Sequence, residues 1–288
     1  MTENTTGRRL TVVNHDRAAA GLTYVYPVVS RRAGGVSVGV NLNVNNACNW
    51  KCIYCQVPNL KRGAAPPVDL MKLRSELTGF LRDVIDGDFM QRCVPEQARR
   101  LNDIALSGNG EPTSTPGFAS VIEVIGEVRH AVSVGAEVKT VLITNGSLTH
   151  QREVREGLRR LQPINGEVWF KLDSATREGM LRMNGTRIGL TRVARNLAIA
   201  ANACPTWIQT CVLAIDGDAP SNTEQSAYLE FIAEQLAQGV PIRGVLLYGL
   251  ARQSYQPEAD RLSSLPPSWL EAYAERIRAL GLPVKVTP

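Results

Sequence analysis

The feature that most constrains this chain is the alternation of strand-like and helix-like segments from residue 36 to residue 280. Short stretches rich in Val, Ile and Leu alternate with longer segments whose apolar residues recur every three or four positions. This alternation is typical of a parallel sheet covered by helices. It predicts strands at 36–42, 103–107, 138–143, 167–172, 207–215 and 242–248, and helices at 69–86, 117–133, 149–161, 189–203, 223–238 and 268–280.

The length and the hydropathy pattern favour one principal domain. With 288 residues, 44% of them hydrophobic, the chain can bury a large core. We expect an α/β core over residues 36–288, ending in a helix and a strand, and a basic lead-in over residues 1–35 that packs on it. No apolar run reaches the ~18 residues of a membrane span, and residues 1–17 are polar. We therefore expect a soluble, cytoplasmic protein without a membrane partner.

Positive charge is concentrated at the start of the chain. Residues 1–62 contain eight Lys and Arg against two acidic residues, a net charge of +6, whereas the whole chain carries +5. A positive face near the N-terminus would attract an acidic electron donor, RNA or a phosphate-bearing substrate. A solvated surface without a partner is an equal alternative.

Three cysteines carry the strongest chemical signal. Cys48, Cys52 and Cys55 have the spacing CxxxCxxC directly after a predicted strand. A tight group in a chain without an export signal favours metal binding over disulfides. Three thiolates on one loop can bind three corners of a four-iron four-sulfur cluster and leave the fourth iron open. A structural zinc site is the alternative, but it needs a fourth ligand, and none stands at a zinc-finger spacing.

The remaining cysteines show no paired spacing, and we expect them to be small apolar core residues. They are Cys93, Cys204 and Cys211.

CxxxCxxC with Tyr54 before its last cysteine resembles the signature of the radical S-adenosylmethionine superfamily. The resemblance implies a partial (βα)6 TIM-like barrel, in agreement with the six predicted strands. It also implies an iron–sulfur enzyme, of oxidoreductase or lyase type, that reductively cleaves S-adenosylmethionine at a 4Fe-4S cluster. The product is a 5′-deoxyadenosyl radical, which abstracts hydrogen from a substrate. Tyr54 would lie near the adenine.

A second motif supports this resemblance. The segment Gly108-Asn109-Gly110-Glu111-Pro112 follows the second predicted strand and is similar to the superfamily's GGEP element, with Asn109 in place of its first glycine. The resemblance implies that this loop holds the amino group of the cofactor's methionine moiety. Its glycines would allow a close approach of the backbone to a ligand.

Further polar residues stand at the ends of predicted strands, where parallel α/β folds place their sites. Lys171 and Asp173 share one strand face by alternation. Lys171 is expected to bind the cofactor carboxylate, and Asp173 to contact the ribose or the substrate, with an internal ion pair as the alternative. Arg252 would face the substrate or cap the barrel, and these three are the candidate catalytic residues. Weaker cofactor candidates are Thr144, Asn145 and Gln209.

The lead-in narrows the resemblance further. Tyr26-Pro27, Arg31-Arg32 and the run Gly39–Asn43 look most like the short-core branch around tRNA wyosine-base synthases and their uncharacterised bacterial relatives. RNA-recognition motifs are absent from the sequence, so a small molecule or a peptide is the favoured substrate and wyosine-like tRNA modification the alternative. An acidic flavodoxin or ferredoxin would supply electrons. The alternative of another class is a non-catalytic iron–sulfur electron-transfer protein.

Overall fold

The computed structural model describes residue 10, residues 21–30 and residues 34–288. At its centre is an eight-stranded sheet, whose strands lie side by side in the order in which they follow along the chain. The strands are β1 (Val25–Ser30), β2 (Gly35–Val40), β3 (Leu101–Leu106), β4 (Lys139–Thr144), β5 (Gly166–Lys171), β6 (Thr206–Cys211), β7 (Ile242–Tyr248) and β8 (Val284–Thr287).

Strand β1 pairs with β2 in the antiparallel direction, and every other neighbouring pair in the sheet is parallel. Pairing between β1 and β8 is not found among the described residues, so the ladder ends at these two strands. The predicted α/β class with a mainly parallel sheet is confirmed.

Helices connect successive parallel strands. They are α1 (Leu70–Ile85), α2 (Phe89–Cys93), α3 (Phe118–Ala131), α4 (Arg152–Leu161), α5 (Arg177–Asn184), α6 (Leu190–Ala203), α7 (Asn222–Ala237) and α8 (Pro267–Arg278).

Shorter elements complete the connections. Two small ladders join Ala47–Cys48 to Lys61–Arg62 and Ala214–Ile215 to Leu262–Ser263. Single 3₁₀ turns lie at Glu96–Ala98, Pro112–Ser114, Gln162–Ile164 and Ala259–Arg261.

Each of the six predicted strands has a counterpart in the sheet, and β8 lies where the chain was expected to end in a strand. The prediction of one strand over 207–215 is wrong, because β6 ends at Cys211 and Ala214–Ile215 pairs outside the main sheet. Strand β1, which contains Pro27, was not among the predicted strands. Proline lacks a backbone N–H and suits an edge strand, which is the position that β1 occupies.

Helix α1 illustrates how the sequence builds the outer layer. It begins after Asp69, whose side chain accepts a hydrogen bond from the Lys72 amide at 3.0 Å. Leu73, Leu77 and Leu81, spaced by one turn, are fully buried against the sheet. The same alternation of a buried stripe and a polar face explains why the longer helices were predicted, whereas α2 and α5 are too short to show it.

The basic lead-in is described only in part. Residues 21–30 provide the segment that ends in β1, and β1 belongs to the main sheet. Residues 1–9, 11–20 and 31–33, including Arg31 and Arg32, lie outside the described residues. The boundary at residue 35 stays a prediction.

The helices show whether a membrane-spanning segment is present in the described ranges. None of the helices in the described ranges combines the length and apolar character that crossing a bilayer requires.

Two helical glycines give opposite stability predictions. A methyl group at Gly79 would meet no atom within 4 Å, whereas one at Gly157 would lie 2.5 Å from the buried Phe118 ring. Alanine favours helix over glycine by about 0.5–1 kcal/mol, but overpacking costs about 1–3 kcal/mol. We expect Gly79→Ala to raise the free energy of unfolding in urea and Gly157→Ala to lower it by about 1 kcal/mol or more. Equal effects of the two changes would contradict the tight contact between α3 and α4.

Candidate functional site

The cysteine loop follows β2 and lies over the carboxyl ends of the parallel strands. Cys48, Cys52 and Cys55 are all half-buried, and all three line one cavity of about 300 Å³. The cavity also receives side chains from the strands that follow in the sheet. The structure therefore brings the three predicted cysteines together at one wall of one space.

Backbone hydrogen bonds fix the loop from one side. The amide of Lys51 donates to the carbonyl of Asn184 at 2.9 Å, and the amide of Ile53 donates to the carbonyl of Met183 at 3.0 Å. Both acceptors lie in the last turn of α5. Gly185, which follows with φ of 59°, ends the helix in the left-handed conformation. Helix α5 is thus a support for the cysteine loop.

The segment after β7 fixes the loop from another side. The buried hydroxyl of Ser254 donates to the Ile53 carbonyl at 2.6 Å, and the Tyr255 amide donates to the Cys55 carbonyl at 3.0 Å. The side-chain amide of Gln256 donates to the Val57 carbonyl at 3.0 Å. These bonds satisfy carbonyl groups that the loop would otherwise leave unpaired.

Two N–H groups point at cysteine sulfurs. The Trp50 amide lies 3.4 Å from Sγ of Cys48, and Nδ2 of Asn184 lies 3.3 Å from Sγ of Cys52. Burial nevertheless raises the pKa of Cys48 to about 11 and that of Cys52 to about 12. Both N–H groups, and the charge of Lys171 near Cys52, oppose this rise. Iron would have to displace the thiol protons, as metals do when they bind cysteine.

Three thiols that line one cavity are a donor set of the kind that binds a multi-iron cluster. Among the described residues, no group of three or more His, Cys, Asp or Glu side chains is arranged to hold one metal ion. A cubane cluster does not need such convergence, because each thiolate binds a different iron. The shared cavity and the N–H groups directed at sulfur agree with this requirement.

The glycines of the Gly108–Pro112 segment allow close packing within the protein. A Cβ atom at Gly108 would lie 2.3 Å from Oδ1 of Asn41, and one at Gly110 would lie 2.0 Å from the Ala47 carbonyl oxygen. The predicted close approach therefore occurs, but its partner in this structure is the segment that leads into the cysteine loop. Gly108 and Gly110 also line the cavity.

Glu111 is the buried carboxyl group of the site, with 2% of its surface exposed. Its carboxylate accepts hydrogen bonds from the amide and the hydroxyl of Thr113 at 3.1 and 2.5 Å. It also accepts bonds from the Thr144 hydroxyl at 2.6 Å and the Asn145 amide at 2.7 Å. Burial raises the pKa of Glu111, and these hydrogen bonds oppose the rise. Glu111 lines the cavity and ties the end of β4 to its own loop.

Tyr54, Lys171 and Asp173 form one cluster. The Tyr54 hydroxyl donates to Oδ2 of Asp173, and Nζ of Lys171 lies 5.0 Å from the centre of the Tyr54 ring. Asp173 also accepts from Nδ2 of Asn184 at 2.6 Å and from the Cys211 amide at 2.8 Å. Burial alone would lower the pKa of Lys171, but Tyr248, Asp173 and nearby thiols raise it, and the balance is upward.

The structure separates the predicted site residues into two groups. Those that line the cavity are Cys48, Cys52, Cys55, Tyr54, Gly110, Glu111, Asn145, Lys171 and Arg252.

The others are not among the residues that line the cavity. Asp173 is engaged by three internal donors, and Thr144 is buried beneath Glu111. The Asn109 side chain turns away to Oδ1 of Asn46 at 2.6 Å. Pro112 begins a short 3₁₀ turn, and Gln209 is 1% exposed on β6. Their assigned contacts with a cofactor stay predictions.

Several residues of the site were not predicted. Asn184 lies in a short helix without a recognisable motif, and Trp169 and Cys211 stand on strands without any unusual spacing. Trp169 precedes Lys171 by two residues, so strand alternation could have placed it on the same face. Cys93 and Cys204 are buried in the core as expected, whereas Cys211 is buried but also lines the cavity.

A second cavity, of about 280 Å³, adjoins the first. Its walls include Lys139 and Glu167 at the beginnings of two strands, and these side chains form an ion pair of 2.8 Å. Asp103, Trp169 and Tyr248 line both cavities. The two cavities therefore share part of their walls, and space extends beyond the level of the cysteine loop.

Solved structures share this architecture. A radical SAM methyltransferase from Sphaerobacter thermophilus aligns with a TM-score of 0.54 at 16% identity, over 88% of this chain and 66% of its own. This chain therefore shares the fold of that methyltransferase. The structure described as native anSMEcpe with bound AdoMet aligns with a TM-score of 0.53 at 15% identity, over 87% of this chain and 63% of its own. Spore photoproduct lyase with a dinucleoside spore photoproduct gives 0.54 at 12% identity, over 84% and 74%.

Curated relatives include UPF0026 proteins. A UPF0026 protein of Helicobacter pylori is 28% identical over 51% of this chain, and the match spans 41% of that relative's length. A UPF0026 protein of Synechocystis is 22% identical over 92% of this chain and 96% of its own. No protein-family model matches the chain.

The bond between Tyr54 and Asp173 generates a stability prediction. Tyr54→Phe removes one hydrogen bond to a carboxylate, which contributes about 1.5–3 kcal/mol. We expect the free energy of unfolding in urea to fall by about 1.5 kcal/mol or more. Tyr255→Phe is the matched control, because Tyr255 is 67% exposed. Equal stability of the two variants would show that the Tyr54 hydroxyl does not anchor the loop.

Proposed function

We propose that this protein is a radical S-adenosylmethionine enzyme that abstracts hydrogen from a small molecule or a peptide. The observation that carries the proposal is the cavity itself, where three thiols of a CxxxCxxC loop face one space together with a buried carboxylate and two cations, Lys171 and Arg252. Its volume of about 300 Å³ is in the range of small-molecule sites.

Cys48, Cys52 and Cys55 would hold the cluster. When bound, a 4Fe-4S cluster would supply the electron that cleaves S-adenosylmethionine to methionine and a 5′-deoxyadenosyl radical. The protein's part is to keep the three sulfurs at fixed positions, which the hydrogen bonds from α5 and from Ser254 support. Trp50 and Asn184 would stabilise the thiolate form with their N–H groups.

Charge complementarity supports binding of the cofactor's amino-acid end. All four donors to Glu111 are uncharged groups, so they orient the carboxylate without neutralising it. Glu111 is therefore suited to the cofactor ammonium group, with Gly110 and Asn145 beside it. Lys171 is suited to the carboxylate, since its raised pKa keeps it protonated. Asp173 accepts from the Tyr54 hydroxyl and would position Tyr54.

Arg252 and the second cavity indicate the charge and the size of a substrate that could bind. Arg252 lines the first cavity, where a guanidinium suits an anionic group of a substrate. The adjoining space of about 280 Å³ leaves interior room for a small molecule or the end of a peptide. Wyosine-like tRNA modification rests on the sequence resemblance alone and stays the alternative.

Glu111→Ala tests the assignment of the ammonium group. We expect it to weaken S-adenosylmethionine binding about ten- to hundredfold, since a hydrogen bond to a charged group contributes about 1.5–3 kcal/mol. Iron content should stay at the parent level. Glu167→Ala is the control, because Glu167 is a buried interior carboxylate outside the first cavity. Isothermal titration calorimetry measures the S-adenosylmethionine affinity of the two cluster-loaded variants. Parental affinity in Glu111→Ala would refute this role of Glu111.

We further propose that an acidic flavodoxin or ferredoxin delivers electrons to the face beside the cysteine loop. Lys51 and Lys61 are exposed on this face, at the loop and at the small strand that pairs with Ala47–Cys48. Arg62 is exposed there too, but its guanidinium donates to the carbonyls of Asn49 and Gly185 at 2.7 and 2.9 Å, so it also holds the loop.

Neutralising the two lysines tests this partner. Lys51→Gln combined with Lys61→Gln should slow reduction by flavodoxin several-fold at low ionic strength, and salt should remove the difference. Reduction by dithionite should not change. The control is Arg152→Gln combined with Arg155→Gln. It removes the same amount of charge from the exposed side of α4, away from the cysteine loop. Equal slowing in both double variants would exclude a local docking face.

A further inference from the structure

Asn184 is a buried amide whose two N–H groups are both used at the site. It is 1% exposed, at the last position of α5. Its Nδ2 atom lies 3.3 Å from Sγ of Cys52 and 2.6 Å from Oδ2 of Asp173. An amide nitrogen carries two hydrogens, so one side chain can serve both acceptors at once.

The backbone of the same residue holds the cysteine loop independently of the side chain. The Asn184 carbonyl accepts from the Lys51 amide, and the Met183 carbonyl accepts from the Ile53 amide. Any substitution at position 184 other than proline retains these groups. The side-chain amide therefore has a role that is separate from the loop contacts of the backbone.

We infer that Asn184 is a positioning residue that raises the reduction potential of the cluster by donating a hydrogen bond to the Cys52 sulfur. The inference rests on the proposed function, because it requires Cys52 to be a cluster ligand. Hydrogen bonds to the sulfurs are among the factors that set the potential of iron–sulfur clusters. The reduced cluster carries one more negative charge, part of it on the sulfurs, so an N–H group directed at sulfur stabilises the reduced form more.

The position of Asn184 gives its amide two acceptors. Its Nδ2 atom lies within hydrogen-bond distance of the Cys52 sulfur and of the Asp173 carboxylate. Nδ2 of Asn184 donates to Oδ2 of Asp173, and the same oxygen accepts from the Tyr54 hydroxyl. One amide thus connects the sulfur of a cluster ligand with the group that orients Tyr54.

The test is a redox titration of the cluster-loaded full chain, with dithionite as the one-electron reductant and the reduced cluster followed by electron paramagnetic resonance. Asn184→Leu keeps a similar volume and removes both donors. We expect iron and sulfide content to match the parent and the midpoint potential to shift to a more negative value. Asn184→Gln, which retains an amide, should recover part of the shift.

Two controls separate direct donation from other effects. Asn202→Leu makes the same change in α6, where Asn202 is exposed and its amide donates to the Ala198 carbonyl; its potential should equal the parent value. The second control repeats Asn184→Leu in an Asp173→Asn background. A shift that persists there supports donation to sulfur, and one that disappears would show that Asn184 acts through the charge of Asp173, which would overturn the inference.

The remaining outcomes are also decisive. An unchanged potential in a fully loaded Asn184→Leu protein would overturn the inference. If that variant stays folded but loads no cluster, Asn184→Ala is measured in its place. If neither variant binds a cluster, Asn184 is needed for cluster assembly and not for setting the reduction potential, which would also overturn the inference. Absence of a cluster in the parent would instead contradict the proposed function.

Discussion

The architecture of the site depends on the hydrogen bonds that hold the cysteine loop over the carboxyl ends of the strands. The loop has little regular structure of its own, since only Ala47–Cys48 pairs with another short strand. Its geometry is imposed by the end of α5 on one side and by Ser254 to Gln256 on the other. Three sulfurs can face one cavity only while these distant parts of the chain remain in contact with the loop.

Glu111 and Lys171 both line the cavity beside the cysteine loop. Glu111 is surrounded by hydroxyl and amide donors at one wall, and Lys171 lies against Tyr54 at another. A buried charge is costly unless hydrogen bonds compensate it. Here the anion is compensated by neutral groups and the cation by an aromatic ring and nearby acids. This separation of opposite charges suits a zwitterionic ligand end, such as an amino acid moiety.

The sequence predicted the features that repeat or cluster along the chain. The six strands and the long helices followed from apolar periodicity, and the cysteine loop followed from spacing. Helix α5 and Asn184 were not predicted, because an eight-residue helix shows too few turns for a periodic signal and a lone asparagine has no motif. The support from Ser254 was also hidden, since it joins residues about 200 positions apart. Such contacts arise from the order of strands in the sheet, not from local sequence.

The same limit explains why Asp173 does not line the cavity. Alternation correctly placed Lys171 toward the cavity, but β5 ends at Lys171, so the strand period no longer governs Asp173. Asp173 instead accepts hydrogen bonds from Tyr54, Asn184 and the Cys211 amide. Pattern reasoning holds only as far as the regular element extends.

The most direct test of the account is the formation of 5′-deoxyadenosine by the anaerobically reconstituted full chain with dithionite and S-adenosylmethionine, measured by mass spectrometry. The account predicts about four irons and four sulfides per chain and formation of 5′-deoxyadenosine, both lost in Cys52→Ala and both retained in Cys93→Ser. A fully loaded parent protein that binds S-adenosylmethionine but forms no 5′-deoxyadenosine would contradict the proposed chemistry. Loss of the cluster in a folded Cys93→Ser protein would contradict the assignment of its ligands.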